Sequence, residues 1–164
     1  NSGDVFINKN QLKKINDKLN KNYFIFYSNL YYVRKGKYVR SWEYSVKKLN
    51  SFNIFKIPHS TLFVHKKLYE NLGLYNLKYK ISSDLDFLIR LQKKISFIQH
   101  LNFRTINMSY GGLSTNLKSY KTKLNEDFKI LFNHFSFLFP IFYFFKIFFK
   151  FKDFKIINLF KSRI

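Results

Sequence analysis

The chain has no cysteine and no alanine, only two prolines and five glycines, and nine acidic residues against thirty basic ones. Without cysteine there is no disulfide scaffold, no thiolate zinc site and no cysteine nucleophile, which is compatible with a reducing compartment. The shortage of acids leaves a formal charge of +21. Aromatic residues are abundant: 22 Phe and 12 Tyr bring the hydrophobic share to 46%. That is enough apolar surface to offset chain entropy, so a disordered basic tail is excluded. The 164 residues suit one domain of ordinary size.

A surplus of lysine ordinarily points to nucleic acid or anionic membrane, because clustered cations release counterions from phosphate. Composition weakens that inference here. Lys, Asn, Ile, Phe and Tyr make up 92 of the 164 residues, and all five are favoured by A/T-rich codons. Arginine, which reads bases and phosphates with a bidentate fork, occurs only at positions 34, 40, 90, 104 and 163. No zinc finger, RNA-recognition strand or basic zipper is present. No nucleic-acid partner is expected.

The opening Asn1-Ser2-Gly3-Asp4 lacks the charged and apolar regions of a signal peptide and reads as the middle of a fold. Asn10 caps an expected helix to about Asn20, with Leu12, Ile15 and Leu19 on one face. Tyr23 to Val33 reads as a strand, and Arg34-Lys35-Gly36-Lys37 turns it into a hairpin with Tyr38-Val39-Arg40. Ile57 to Val64 reads as a further strand, and Lys66 to Leu72 as a short helix stopped by Gly73. Ser82 or Ser83 caps a helix to about Lys94, with Asp84 and Asp86 in the first turn, where the helix dipole favours carboxylates. Ile95 to Ile98 and Phe103 to Met108 read as two strands leading to Gly111-Gly112-Leu113-Ser114, and from Leu117 the pattern is helical.

Ser82-Ser83-Asp84-Leu85-Asp86-Phe87-Leu88-Ile89-Arg90-Leu91 is the sharpest feature. Spacing alone leaves two readings. Asp84 is either a first-turn acid with Arg90 as a surface charge, or a base held ionised and aimed by the helix start. His59 is likewise either a hydrogen-bonded core residue or a site residue. His59, His65, His100 and His134 fall on different expected elements, so zinc-hydrolase and serine-hydrolase patterns have no support.

The run from Pro58-His59-Ser60-Thr61-Leu62-Phe63-Val64 through Gly73-Leu74-Tyr75 to Ser82-Ser83-Asp84-Leu85-Asp86 resembles the acceptor half of family 2 glycosyltransferases. These are inverting enzymes that use a nucleotide-diphospho-sugar donor. Asn1-Ser2-Gly3-Asp4 is similar to the family's L-N-S-G-D segment, and Gly111-Gly112-Leu113-Ser114 to a Gly-Gly-x-Ser loop of members that build surface polysaccharides. The resemblance covers Asn1 to Ser114 and departs at Ser83, where many members carry Glu or Ala. It implies Asp84 as catalytic base and Asp4 as ligand of a divalent cation, Mg or Mn. It further implies that His59, Arg90, Gly111, Gly112 and Ser114 contact substrate, with two alternatives open: Arg90 as the structural partner of a neighbouring acid, which is put first, and the two glycines as a tight turn. The implied acceptor is a glycan or lipid-linked sugar, and the implied location is the cytoplasm at the inner face of the cell membrane. The family's nucleotide-binding half is expected before Asn1, so the 164 residues alone are expected to be inactive.

The expected architecture is α/β. Residues 1–116 form the acceptor-side part, a mixed sheet flanked by helices, and residues 117–164 a helical Phe/Lys-rich tail. The uncharged run Phe135 to Phe145 is 11 residues, short of the ~20 that a spanning helix needs. Lysines spaced along the continuing apolar pattern leave two readings for residues 134–164: a helix in the plane of an anionic bilayer, or a helix pair packed on the domain. The rival from another class is a basic, non-catalytic protein that binds nucleic acid or anionic membrane.

Overall fold

A computed structural model describes residues 3–109 and 117–149 of the chain. Five strands make one mixed sheet: β1 (Val5–Phe6), β2 (Ile25–Arg34), β3 (Lys37–Trp42), β4 (Phe63–Val64) and β5 (Gln99–Ser109). β2 is central. It runs parallel to β5, and its other edge is shared end to end by β4 and β3, both antiparallel. Parallel neighbours need a long crossover, here residues 35–98, which contain α2 (Lys66–Leu72) and α3 (Ser83–Lys94). α1 (Gln11–Lys18) precedes β2, and α4 (Leu117–Phe135) follows β5. A last helix, α5, covers residues 139–149.

The hairpin forms as expected because Lys35 and Gly36 both take positive φ, 49° and 74°, the twist that suits a two-residue hairpin loop. Three other expectations change. Between Ile57 and Val64 only Phe63–Val64 pairs as a strand, while His59–Thr61 is a 3-10 turn. The reason is Thr61, whose buried hydroxyl donates to the Ser28 carbonyl at 2.6 Å and accepts the Ser28 N–H at 3.3 Å, so a side chain replaces the ladder. The two strands expected between Ile95 and Met108 are one, β5. The interruption around Asn102 is a pair of register shifts opposite Asn29 rather than a turn. On α1 the buried side chains are Gln11 and Ile15, with Leu12 exposed, because the Gln11 amide donates to the Arg104 carbonyl of β5 at 3.2 Å.

The core lies between the sheet and the helices. Ile25 and Tyr27 of β2 meet Leu85, Phe87, Leu88, Ile89 and Leu91 of α3, and Ile130, Leu131 and Phe142 join the same cluster. Residues 117–149 are thus built into the domain. α4 and α5 form an antiparallel hairpin: the Phe128 and Phe139 rings lie 4.9 Å apart, and Lys146 Nζ is 2.5 Å from Asp127 Oδ2. In a straight helix Asp127 and Lys146, 19 positions apart in the sequence, would stand roughly 28 Å from each other. The reversal occurs at Ser136, whose φ is 49°. By length and apolar content Ser119–Phe149 suffices to cross a membrane, more than the 11-residue uncharged run indicates, but the Ser136 turn folds that stretch back on itself.

Two buried acids bind α4 to α3. Glu126 accepts the backbone N–H groups of Lys80, Ile81 and Ser82, each at 2.9 Å. Asp86 accepts from Arg90 Nε and pairs with His134 Nε2, both at 2.9 Å. Burial opposes ionisation of Glu126, yet the three N–H donors outweigh it and hold its pKa below the ordinary value. A carboxyl whose folded pKa is lowered contributes stability above its unfolded pKa and loses it as pH falls through the folded one. Glu126→Ala is therefore expected to reduce the unfolding free energy by roughly 2–3 kcal/mol. In urea titrations at neutral pH and below ~4, the difference from wild type should shrink in acid; an undiminished difference would remove the charge from this account.

Candidate functional site

A cavity of about 520 Å³ opens where β1, the His59 turn and the start of α3 converge. Asp4, His59, Ser60, Tyr75, Lys80 and Asp84 are among its lining residues. Acids far apart in the sequence therefore share one space. Asp4 stands at the head of β1, where its Oδ1 accepts the Ser109 N–H at 3.2 Å. Among the described residues its buried Oδ2 has no hydrogen-bond partner. Gly3 makes this approach possible: its φ is +85°, and a Cβ there would lie 2.7 Å from Ser109 Oγ.

Asp84 sits in the first turn of α3, after the cap residue Ser82. Ser82 starts the helix with its carbonyl, which accepts from Leu85 and Asp86, and its hydroxyl makes no cap bond. The segment that leads in is held by Glu126 instead. Asp84 Oδ2 lies 2.9 Å from His59 Nδ1, and the two side chains are 27% and 36% exposed. Burial raises the pKa of Asp84, but the hydrogen bond and charge of His59, with Lys123 and Lys146 of the helical hairpin, outweigh it and hold the value at about 2. For His59 burial lowers the pKa and Asp84 more than restores it, so the imidazole titrates above its usual value. Lys146 is pushed down to about 8, chiefly by burial, against the pull of Asp127.

The structure brings together Asp4, His59 and Asp84. Arg90 lies elsewhere: it bonds Asp86 and donates to the carbonyls of Leu72, Gly73 and Leu74, closing the C-terminus of α2. Gly111, Gly112 and Ser114 lie outside the described residues, as do residues 150–164 of the tail. Tyr75, Lys80, Lys123 and Lys146 are site residues that the sequence reading did not single out. Tyr75 occupies the aromatic position after Gly73 and rests its ring 4.8 Å from Phe87, so that pattern was the available signal. For Lys123 and Lys146 there was none, because only the packing of α4 on α3 and the fold-back of α5 bring them near Asp84.

Among the described residues no group of three His, Cys, Asp or Glu side chains gathers to hold a metal ion. The orphaned Asp4 Oδ2 nevertheless fits a cation that takes one protein carboxylate and completes its shell with phosphate oxygens and water, as Mg commonly does. Comparisons with protein-family models, curated proteins and solved structures match nothing to this chain.

The His59–Asp84 pair sets a pH signature. The stability it lends through His59 is fully present below the unfolded imidazole pKa and disappears as pH rises through the folded one; the share from Asp84 is lost as pH falls toward about 2. In Asp84→Asn the His59 titration followed by NMR is expected to move to lower pH than in wild type. Coincident titrations in the two proteins would show that the pair does not form in solution.

Proposed function

We propose that this cavity is the acceptor-side site of an inverting sugar transferase of the kind the sequence resembles, acting in the assembly of a surface polysaccharide. The observation that supports it most is that Asp84 and Asp4, the two acids the resemblance singles out for base and cation, line one cavity. The transferase fold, the nucleotide-diphospho-sugar donor, the glycan or lipid-linked acceptor and the cytoplasmic location belong to this reading.

Chemically, an acceptor hydroxyl placed against Asp84 passes its proton to the His59–Asp84 pair while its oxygen attacks the anomeric carbon. The bond from that carbon to the diphosphate oxygen breaks on the opposite face, and the nucleoside diphosphate leaves with the electron pair. Attack opposite the leaving group inverts the anomeric centre. A carboxylate with a pKa of about 2 is a feeble proton acceptor by itself. Its contact with an imidazole whose pKa is raised above the usual value gives the proton a second place to rest. Asp4, at the far end of the sequence, would hold a divalent cation, Mg or Mn, which when bound offsets the charge of the departing diphosphate. Lys80, Lys123 and Lys146 add positive charge near the acids, and Tyr75 gives the sugar a flat apolar wall.

Two measurements test this. Mn titrated into the chain with a nucleoside diphosphate and followed by electron paramagnetic resonance is expected to bind at least about tenfold more weakly in Asp4→Asn. With the 164 residues joined to a nucleotide-sugar-binding half, Asp84→Asn is expected to cut kcat by about 10³-fold, with donor affinity nearly unchanged. The wild-type rate should rise with pH through the His59 titration. Full transfer by Asp84→Asn would overturn the reading.

A further inference from the structure

The outer face of the α4–α5 hairpin is apolar, and among the described residues nothing covers it. Phe142, Phe145 and, along the same face, Phe149 turn inward: Phe142 and Phe145 pack on Phe52, and Phe149 lies under Lys56. The opposite face carries Phe137, Ile141, Phe144 and Phe148 at three- and four-residue steps, with Phe137 83% and Phe144 64% exposed. Phe128 and Phe132 of α4, both about half exposed, touch the Phe139 ring and continue the strip. In the most apolar window of Ser119–Phe149 only 17% is buried. A soluble domain has little reason to leave that much aromatic surface in water.

Charge selects the occupant. The two carboxylates within residues 117–149, Glu126 and Asp127, are both buried. Lys121 and Lys129 are exposed beside the strip, on a chain of net charge +21. An apolar ridge flanked by cations and free of exposed acids suits the headgroup and acyl boundary of an anionic bilayer. The Ser136 reversal sets the mode: two antiparallel helices joined by a left-handed turn lie along such a surface and do not thread it.

We propose that the outer face of this helical hairpin docks the protein in the plane of an anionic lipid surface, with the ring edges of Phe137, Phe144 and Phe148 sunk among the acyl chains. The proposal stands apart from the transferase reading. It would survive the loss of the Asp84 chemistry, and its test reads binding alone.

Flotation of the full chain with phosphatidylcholine vesicles containing phosphatidylglycerol is expected to carry most of the protein upward, and with phosphatidylcholine alone much less. Phe137→Ser, Phe144→Ser and Phe148→Ser combined should lower the partition coefficient at least tenfold while thermal unfolding stays as in wild type, since all three side chains are exposed. Absence of binding to anionic vesicles would overturn the proposal, as would undiminished binding by the triple variant, which would reduce attachment to lysine charge. Resistance to alkaline carbonate extraction would replace the in-plane arrangement with a span. A wild-type dimer that the triple variant converts to monomer, and that anionic vesicles leave intact, would assign the face to a second copy of the chain.

Discussion

The Glu126 carboxylate, clasped by three successive backbone N–H groups ahead of α3, is the contact on which the geometry of the site turns. A helix start leaves several N–H donors without partners. The usual remedy is a hydrogen bond accepted by the cap side chain, but the Ser82 hydroxyl makes none. A distant carboxylate fixes the entry segment instead, so the direction in which α3 launches Asp84 is set by α4. Asp86, two residues on, reaches the same helix through His134. Register between α3 and α4 thus becomes register between Asp84 and the lysines of the hairpin.

Scarcity makes the acids informative. Of nine in the chain, Asp4, Asp84, Asp86, Glu126 and Asp127 either line the cavity or hold the helices that shape it. The thirty cations are too many for any one of them to be informative by its presence alone. The lowered pKa values of Asp84, Asp86 and Glu126 follow from particular donors: His59 with two lysines, Arg90 with His134, and three backbone N–H groups. Burial works against each of them and is outweighed.

Much of the fold was legible because it rests on local chemistry. The Lys35-Gly36 hairpin, the Gly73 stop with φ of 77° and the helix from Ser83 to Lys94 are short-range decisions. So is Asp84 in a first turn. What failed depended on partners distant in sequence. Thr61 looked like a strand residue until Ser28 of β2 took its hydroxyl, and Leu12 looked like core until Gln11 found the Arg104 carbonyl. Periodicity cannot register either bond. Asp4 and His59 were singled out by resemblance, and their arrival at one cavity with Asp84 could be read only from the fold. Arg90, also singled out, is occupied at the end of α2. Lys146 shows the limit most clearly: by its spacing it belonged to a tail, and the chain reversal at Ser136 carries it back beside Asp127.

The reversal at Ser136 also bears on which ends of the segment lie together. A straight helix of 31 residues would be about 46 Å long and deliver its two ends to opposite faces of a bilayer. With Ser136 in the left-handed region, the chain reverses and Lys146 returns to Asp127 in the middle of α4. In the docking proposed for the hairpin, a single backbone angle at one serine would leave residues 119 and 149 on the same side of the lipid surface.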